Sequence, residues 1–77
     1  MDIREANRIQ RKFERMEDPS EEDIFLYTEA MDYLIHETAD PDTMLDLGSY
    51  YYEQKHFDLA LKYYEMAAEY KLPNNGP

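Results

Sequence analysis

Cysteine is absent from the 77-residue chain, and glycine and proline are scarce, with two and four residues. The lack of cysteine excludes disulfide bridges, thiolate metal sites and cysteine nucleophiles, and it is typical of a reducing compartment. The scarcity of glycine and proline favours long helices over many short strands. There is no run of about 18 apolar residues that could span a membrane, and the charged start of the chain lacks the apolar stretch of a secretory signal. We therefore expect a soluble, cytoplasmic, helical protein.

The charge of the chain is strongly negative and unevenly distributed. Eighteen acidic and eight basic residues give a net charge of -10. Residues 1–16 contain five basic and three acidic residues, a net +2, whereas residues 17–77 contain three basic and fifteen acidic residues, a net -12. Because neutralisation of phosphates dominates nucleic-acid affinity, this balance argues against a general nucleic-acid binder.

Apolar spacing and helix-breaking residues together predict an all-α chain. The four predicted helices cover residues 2–17, 20–37, 41–54 and 57–70. Pro19 disfavours helical geometry in the residue before it and ends the first helix. Ser20 and Asp23 have the spacing of a capping pair at the start of the second helix. Asp40 can cap the third helix, with Pro41 at its first position, where the missing N–H is no loss.

Residues 41–73 contain a set of apolar, small and aromatic residues at fixed spacings. The residues of this pattern are Met44, Leu47, Gly48, Tyr51, Ala60, Tyr64 and Ala67, followed by Pro73. Gly48 and Ala60 would let two helix axes approach closely, and the two tyrosines would fill the spaces alongside. The pattern resembles the tetratricopeptide repeat (TPR) and its Sel-one-like relatives, which are helix–turn–helix units of about 34 residues.

The resemblance implies two antiparallel helical hairpins stacked as a short TPR-like α-solenoid segment, within a single domain. Residues 2–38 have the helix lengths without the signature residues, so we expect a degenerate repeat or an N-terminal capping hairpin there, and a flexible tail at residues 74–77. Three positions depart from the family. Met44 stands where tryptophan is frequent, and Pro73 comes one residue late. Lys55 stands where a glycine often adopts a left-handed conformation, so we expect the turn to be either slightly strained or differently built.

The resemblance also implies a non-enzymatic scaffold for protein–protein interaction, because the first helix of each repeat lines a concave surface that binds peptides. Carried onto this chain, the lining positions are Asp42, Leu45, Asp46, Ser49, Tyr52 and Glu53, which we call the acidic stripe. A stripe of acidic residues with one tyrosine favours a basic or aromatic-basic peptide. The alternative is a plain solvated face.

The fourth predicted helix carries a second apolar face, which suggests self-association. Its members are Leu59, Tyr63, Met66 and Tyr70. A helix that is apolar over more than half of its circumference expects neighbours on two sides, and repeat folds usually need about three units for stability. Either the chain is part of a longer repeat array, or a second copy covers this face in a homodimer.

The first predicted helix carries a stripe of arginines, which offers a further alternative. Arg4, Arg8, Arg11 and Arg15 are three or four positions apart and form what we call the arginine stripe. Such a stripe could bind RNA, an acidic partner or an anionic membrane surface. The alternative is that it neutralises the acidic second to fourth helices, within the chain or across an oligomer.

The sequence contains no pattern typical of catalysis or of cofactor binding. The two histidines, His36 and His56, lie on different predicted elements, and neither has a second metal ligand four positions away. Two glycines cannot form a glycine-rich phosphate loop, and no serine has a histidine and an acid in a recognisable arrangement. We therefore predict no enzyme activity, no catalytic residue, no cofactor and no metal site.

Overall fold

Four α-helices account for most of the chain that the computed structural model describes, which is residues 1–71, with the backbone alone at Lys71. The helices are α1 (Ile3–Glu14), α2 (Glu21–Thr38), α3 (Pro41–Glu53) and α4 (Phe57–Lys71), and residues 1–71 contain no strand. Helix α1 packs against α2, and α3 packs against α4. The predicted all-α fold with two helical hairpins is confirmed, and the chain divides between them at Thr38 and Ala39. The solenoid arrangement stays a prediction, and the tail at residues 74–77 lies outside the described residues.

Local hydrogen bonds explain where the first helix begins and ends. Asp2 caps α1, and its carboxylate accepts a hydrogen bond of 2.8 Å from the backbone N–H of Glu5. The predicted end at residue 17 is wrong, because α1 ends at Glu14. The backbone N–H groups of Arg15 and Met16 bond to carbonyls three residues back, so the last turn tightens and the helix does not continue. The other helices lie within one residue of their predicted bounds.

The predicted capping pair at the start of α2 is confirmed. The Ser20 hydroxyl accepts a 3.1 Å hydrogen bond from the backbone N–H of Asp23. The Asp23 carboxylate in turn accepts bonds from the Ser20 backbone N–H at 3.0 Å and from its hydroxyl at 2.9 Å. These bonds from the backbone and then the side chain of Ser20 hold the pKa of Asp23 below its ordinary value.

In the first hairpin, an aromatic pair and a small residue contribute to the packing of α1 on α2. The rings of Phe13 and Tyr27 stack with their centroids 4.0 Å apart and their planes 13° from parallel. Ala6 is fully buried on the same side of α1. On α2 the buried apolar residues are Tyr27, Ala30, Met31 and Leu34, spaced three, one and three positions apart.

The second hairpin is packed closely around Gly48. A Cβ atom at this position would lie 3.0 Å from two ring carbons of Tyr64 on α4, which is too close for an ordinary contact. The predicted close approach of the two helices at Gly48 is therefore confirmed. The ring of Tyr51 on α3 stacks on that of Tyr63 on α4, with centroids 5.8 Å apart. The buried residues of this hairpin are Met44, Leu47 and Gly48 on α3 and Ala60, Tyr63 and Ala67 on α4.

The turn from α3 to α4 has the left-handed residue expected at Lys55. Its φ is 67°. The Lys55 N–H bonds to the Tyr52 carbonyl at 3.0 Å, and the His56 N–H bonds to the Tyr51 carbonyl at 2.9 Å. This pair of bonds is a Schellman motif, in which glycine usually takes the left-handed position. A residue with a Cβ adopts that conformation at a cost of about 1–2 kcal/mol, so the turn carries strain.

Candidate functional site

A hollow surrounded by exposed aromatic residues lies between the second half of α3 and the first half of α4. It has a volume of about 300 Å³ and is lined by Tyr52, Phe57, Ala60, Leu61 and Tyr64, which we call the aromatic groove. Tyr52, Phe57 and Leu61 are 58%, 55% and 56% exposed. The rings of Tyr52 and Phe57 meet edge to face with centroids 5.3 Å apart. Several large apolar side chains exposed side by side are typical of an interaction surface.

The floor and one wall of the aromatic groove are held by the hairpin core. Ala60 forms the floor and is 1% exposed. The ring of Tyr64 lies against Gly48, and its hydroxyl shares a 3.1 Å hydrogen bond with the Ser49 hydroxyl on α3. The only polar side-chain atoms of the lining are the hydroxyls of Tyr52 and Tyr64. The groove is therefore a largely preformed apolar surface, the kind of hollow that takes apolar groups of a ligand.

The acidic stripe lies next to the aromatic groove. The structure places Asp42, Asp46, Ser49, Tyr52 and Glu53 in exposed positions on α3, with Leu45 half-buried. The core residues Met44 and Leu47 project from the opposite side of the helix, as their spacing predicts. Tyr52 belongs to both surfaces, so the stripe and the groove are continuous.

The predicted self-association face is not a single exposed surface, because one of its members is in the core. Tyr63 is 7% exposed and stacks on Tyr51, so its assignment to an outward face is wrong. Leu59 and Met66 are half-buried, and Tyr70 is exposed.

In its first half, α4 exposes the large apolar residues Phe57 and Leu61, one turn apart, and these are not among the residues predicted as a site. Their spacing of four positions is a signal that could have identified a shared outward face. Because α4 is apolar around most of its circumference, other apolar pairs on this helix have the same spacing, so the spacing does not single out Phe57 and Leu61.

The arginine stripe forms the outer face of α1. Arg4, Arg8, Arg11 and Arg15 are all exposed, on the side opposite to Ala6, Ile9 and Phe13, as expected for positions half a turn away. The separation of the basic stripe from the apolar one is as predicted, and its role stays a prediction.

Two tyrosines outside the aromatic groove, Tyr50 and Tyr33, have raised pKa values. Partial burial raises the pKa of Tyr50, and burial together with the charges of Glu37 and Asp2 raises that of Tyr33. His36 and His56 are exposed, and the His56 ring lies edge-on to Tyr51. Within residues 1–71, no three His, Cys, Asp or Glu side chains are grouped so that they could hold a metal ion. None of the described helices has the length and apolar character needed to cross a membrane.

No family model, curated protein or solved structure matches the chain. The TPR-like assignment therefore stays a prediction from the residues themselves.

Proposed function

We propose that this chain is a protein–protein interaction module that binds a peptide or helix of another protein on the α3–α4 hairpin and acts by binding alone. The observation that carries the proposal is the aromatic groove, where three large apolar side chains are more than half exposed around one hollow. Full burial of a leucine or phenylalanine side chain contributes about 1.5–3 kcal/mol, so covering the exposed halves of Phe57 and Leu61 would contribute roughly 1.5–3 kcal/mol to binding.

The acidic stripe supports the same surface. Exposed Asp46 and Glu53 lie on the helix that contributes Tyr52 to the groove. Charges beside an apolar contact mainly set the orientation of the partner and the rate of encounter. We also propose that the protein is cytoplasmic, as its sequence without cysteine leads us to expect.

Site-specific photo-crosslinking in cells that express the protein tests this function. A photoreactive phenylalanine analogue replaces Tyr52 in one variant and Phe25 in the control, because Phe25 is 61% exposed on α2 and outside the surface. We expect a protein adduct from position 52 that is absent from position 25 and is lost when Leu61→Ser is added. Equal adducts from both positions, or none from position 52, would contradict the proposal.

A further inference from the structure

Carboxylates lie on both sides of the aromatic groove. On the α3 side, Glu53 follows Tyr52 directly and is exposed. On the α4 side, Leu61 lines the groove and also an adjoining open surface that carries three carboxylates and one lysine, namely Asp58, Glu65, Glu69 and Lys62. The apolar surface is therefore bordered by negative charge along both helices.

Few basic groups offset these carboxylates. The sequence from Ala39 onward contains seven acidic residues and three lysines, a net charge of -4. Lys55 is in the turn. The Lys62 ammonium is 5.3 Å from the centre of the Tyr63 ring, within the range of a cation–π contact. Lys71 is the last residue of α4.

We propose that the aromatic groove binds the apolar face of a basic amphipathic helix from another protein. This inference rests on the proposed function and specifies the class of partner. Apolar side chains three or four positions apart on a helix have Cβ atoms about 5–6 Å apart, the same spacing as Phe57 and Leu61 on α4. Lysines or arginines that flank those anchors would lie against Glu53 on one side and Glu65 on the other.

Charge disfavours a symmetric dimer in which the aromatic groove pairs with the groove of a second copy. In such a dimer the same patch meets itself. The negatively charged borders of the two grooves would then face each other, and like charges across an interface are unfavourable. A basic helix buries the same apolar side chains and brings opposite charge to the same border.

A designed peptide probe tests this proposal by fluorescence anisotropy. The probe is a labelled leucine–lysine peptide of about 18 residues, or five helical turns, with its leucines on one face. One control peptide has the same composition with the leucines off helical spacing, and a second has glutamate in place of each lysine. We expect the chain to bind the probe and neither control, with weaker binding as the salt concentration rises.

Variants show where the probe binds. Leu61→Ser should weaken binding by about 4- to 13-fold, as expected from burying the exposed half of one leucine side chain. Phe25→Ser removes an equally exposed apolar side chain from α2 and should change the affinity less than about twofold. Glu65→Gln should weaken binding and reduce its dependence on salt, whereas Glu29→Gln on α2 should do neither. Circular dichroism confirms that each variant is folded.

Several results would overturn the proposal. These are the absence of probe binding, equal binding of the glutamate peptide, and unchanged binding by Leu61→Ser. Light scattering over a range of concentrations detects the remaining alternative, because a dimer that Leu61→Ser dissociates would identify a second copy as the occupant. If the probe fails while the Tyr52 crosslink persists, the partner class is wrong and the proposed function stands. If both fail, neither stands.

Discussion

Replacing Lys55 by glycine should stabilise the chain, because the backbone at this residue is left-handed, with φ 67°. A Cβ in that region costs about 1–2 kcal/mol. Glycine avoids this cost, but it increases the conformational entropy of the unfolded chain, which lowers the free energy of unfolding by about 0.4–1 kcal/mol. The two Schellman hydrogen bonds involve only backbone atoms and remain in the variant. We therefore expect a net gain of roughly 0–1.6 kcal/mol in the free energy of unfolding before the loss of the lysine charge is counted.

Charge is the main complication in this experiment, and a second variant isolates it. A lysine just beyond the C-terminus of α3 interacts favourably with the helix dipole, by about 0.3–1 kcal/mol at most. Lys55→Ala removes the same charge but keeps a Cβ, so it should leave stability unchanged or lower it. Urea unfolding followed by circular dichroism compares the three proteins. A Lys55→Gly variant no more stable than Lys55→Ala would refute the argument from backbone strain.

Two further predictions concern Gly48 and the capping pair. Gly48→Ala should cost roughly 0–2 kcal/mol, because overpacking against the Tyr64 ring, 3.0 Å from the new Cβ, costs about 1–3 kcal/mol and the higher helix propensity of alanine returns about 1 kcal/mol. Glu53→Ala is the control at an exposed position of the same helix, and thermal unfolding measures both variants. Ser20→Ala should cost about 1 kcal/mol, the usual loss for a helix cap. The folded state lowers the pKa of Asp23 below 3.8. The contribution of this carboxylate is therefore present above the pKa of the unfolded chain and is lost as the pH falls through the lower, folded pKa. When the free energy of unfolding is measured as a function of pH, it should fall less steeply below about pH 4 in Asp23→Asn than in the unchanged protein. An equal pH dependence in both proteins would contradict the lowered pKa of Asp23.

Local signals in the sequence are sufficient for two of the helix starts. Ser20 with Asp23, and Asp40 with Pro41, identify two helix starts because a cap depends on residues within one turn. The left-handed residue at position 55 stands where the tetratricopeptide repeat often has glycine, so the resemblance indicated the position, and the structure decides for a strained turn over a differently built one. The end of α1 was predicted too late, since its last turn is closed by backbone bonds that no side chain signals.

The aromatic groove could not be predicted, because it depends on the rotation of α4. Apolar residues occur around most of this helix, so their period does not identify the side that packs. The close fit of Tyr64 against Gly48 and the stacking of Tyr63 on Tyr51 fix that rotation. Both are contacts between helices, and they leave Phe57 and Leu61 outside. The exposure of the acidic stripe could be predicted from spacing alone, because α3 has one compact apolar side and the remaining positions face away from it.

The contact of Tyr64 with Gly48 and Ser49 links the groove to the folding of the hairpin. The Tyr64 ring packs against Gly48 on α3, and the same residue lines the aromatic groove where a partner would bind. A ligand that presses on Tyr64 would favour the packed arrangement of α3 and α4, so binding and local unfolding become thermodynamically linked. Amide hydrogens around Gly48 should then exchange more slowly with solvent in the complex, although Gly48 itself is buried and out of reach of the ligand.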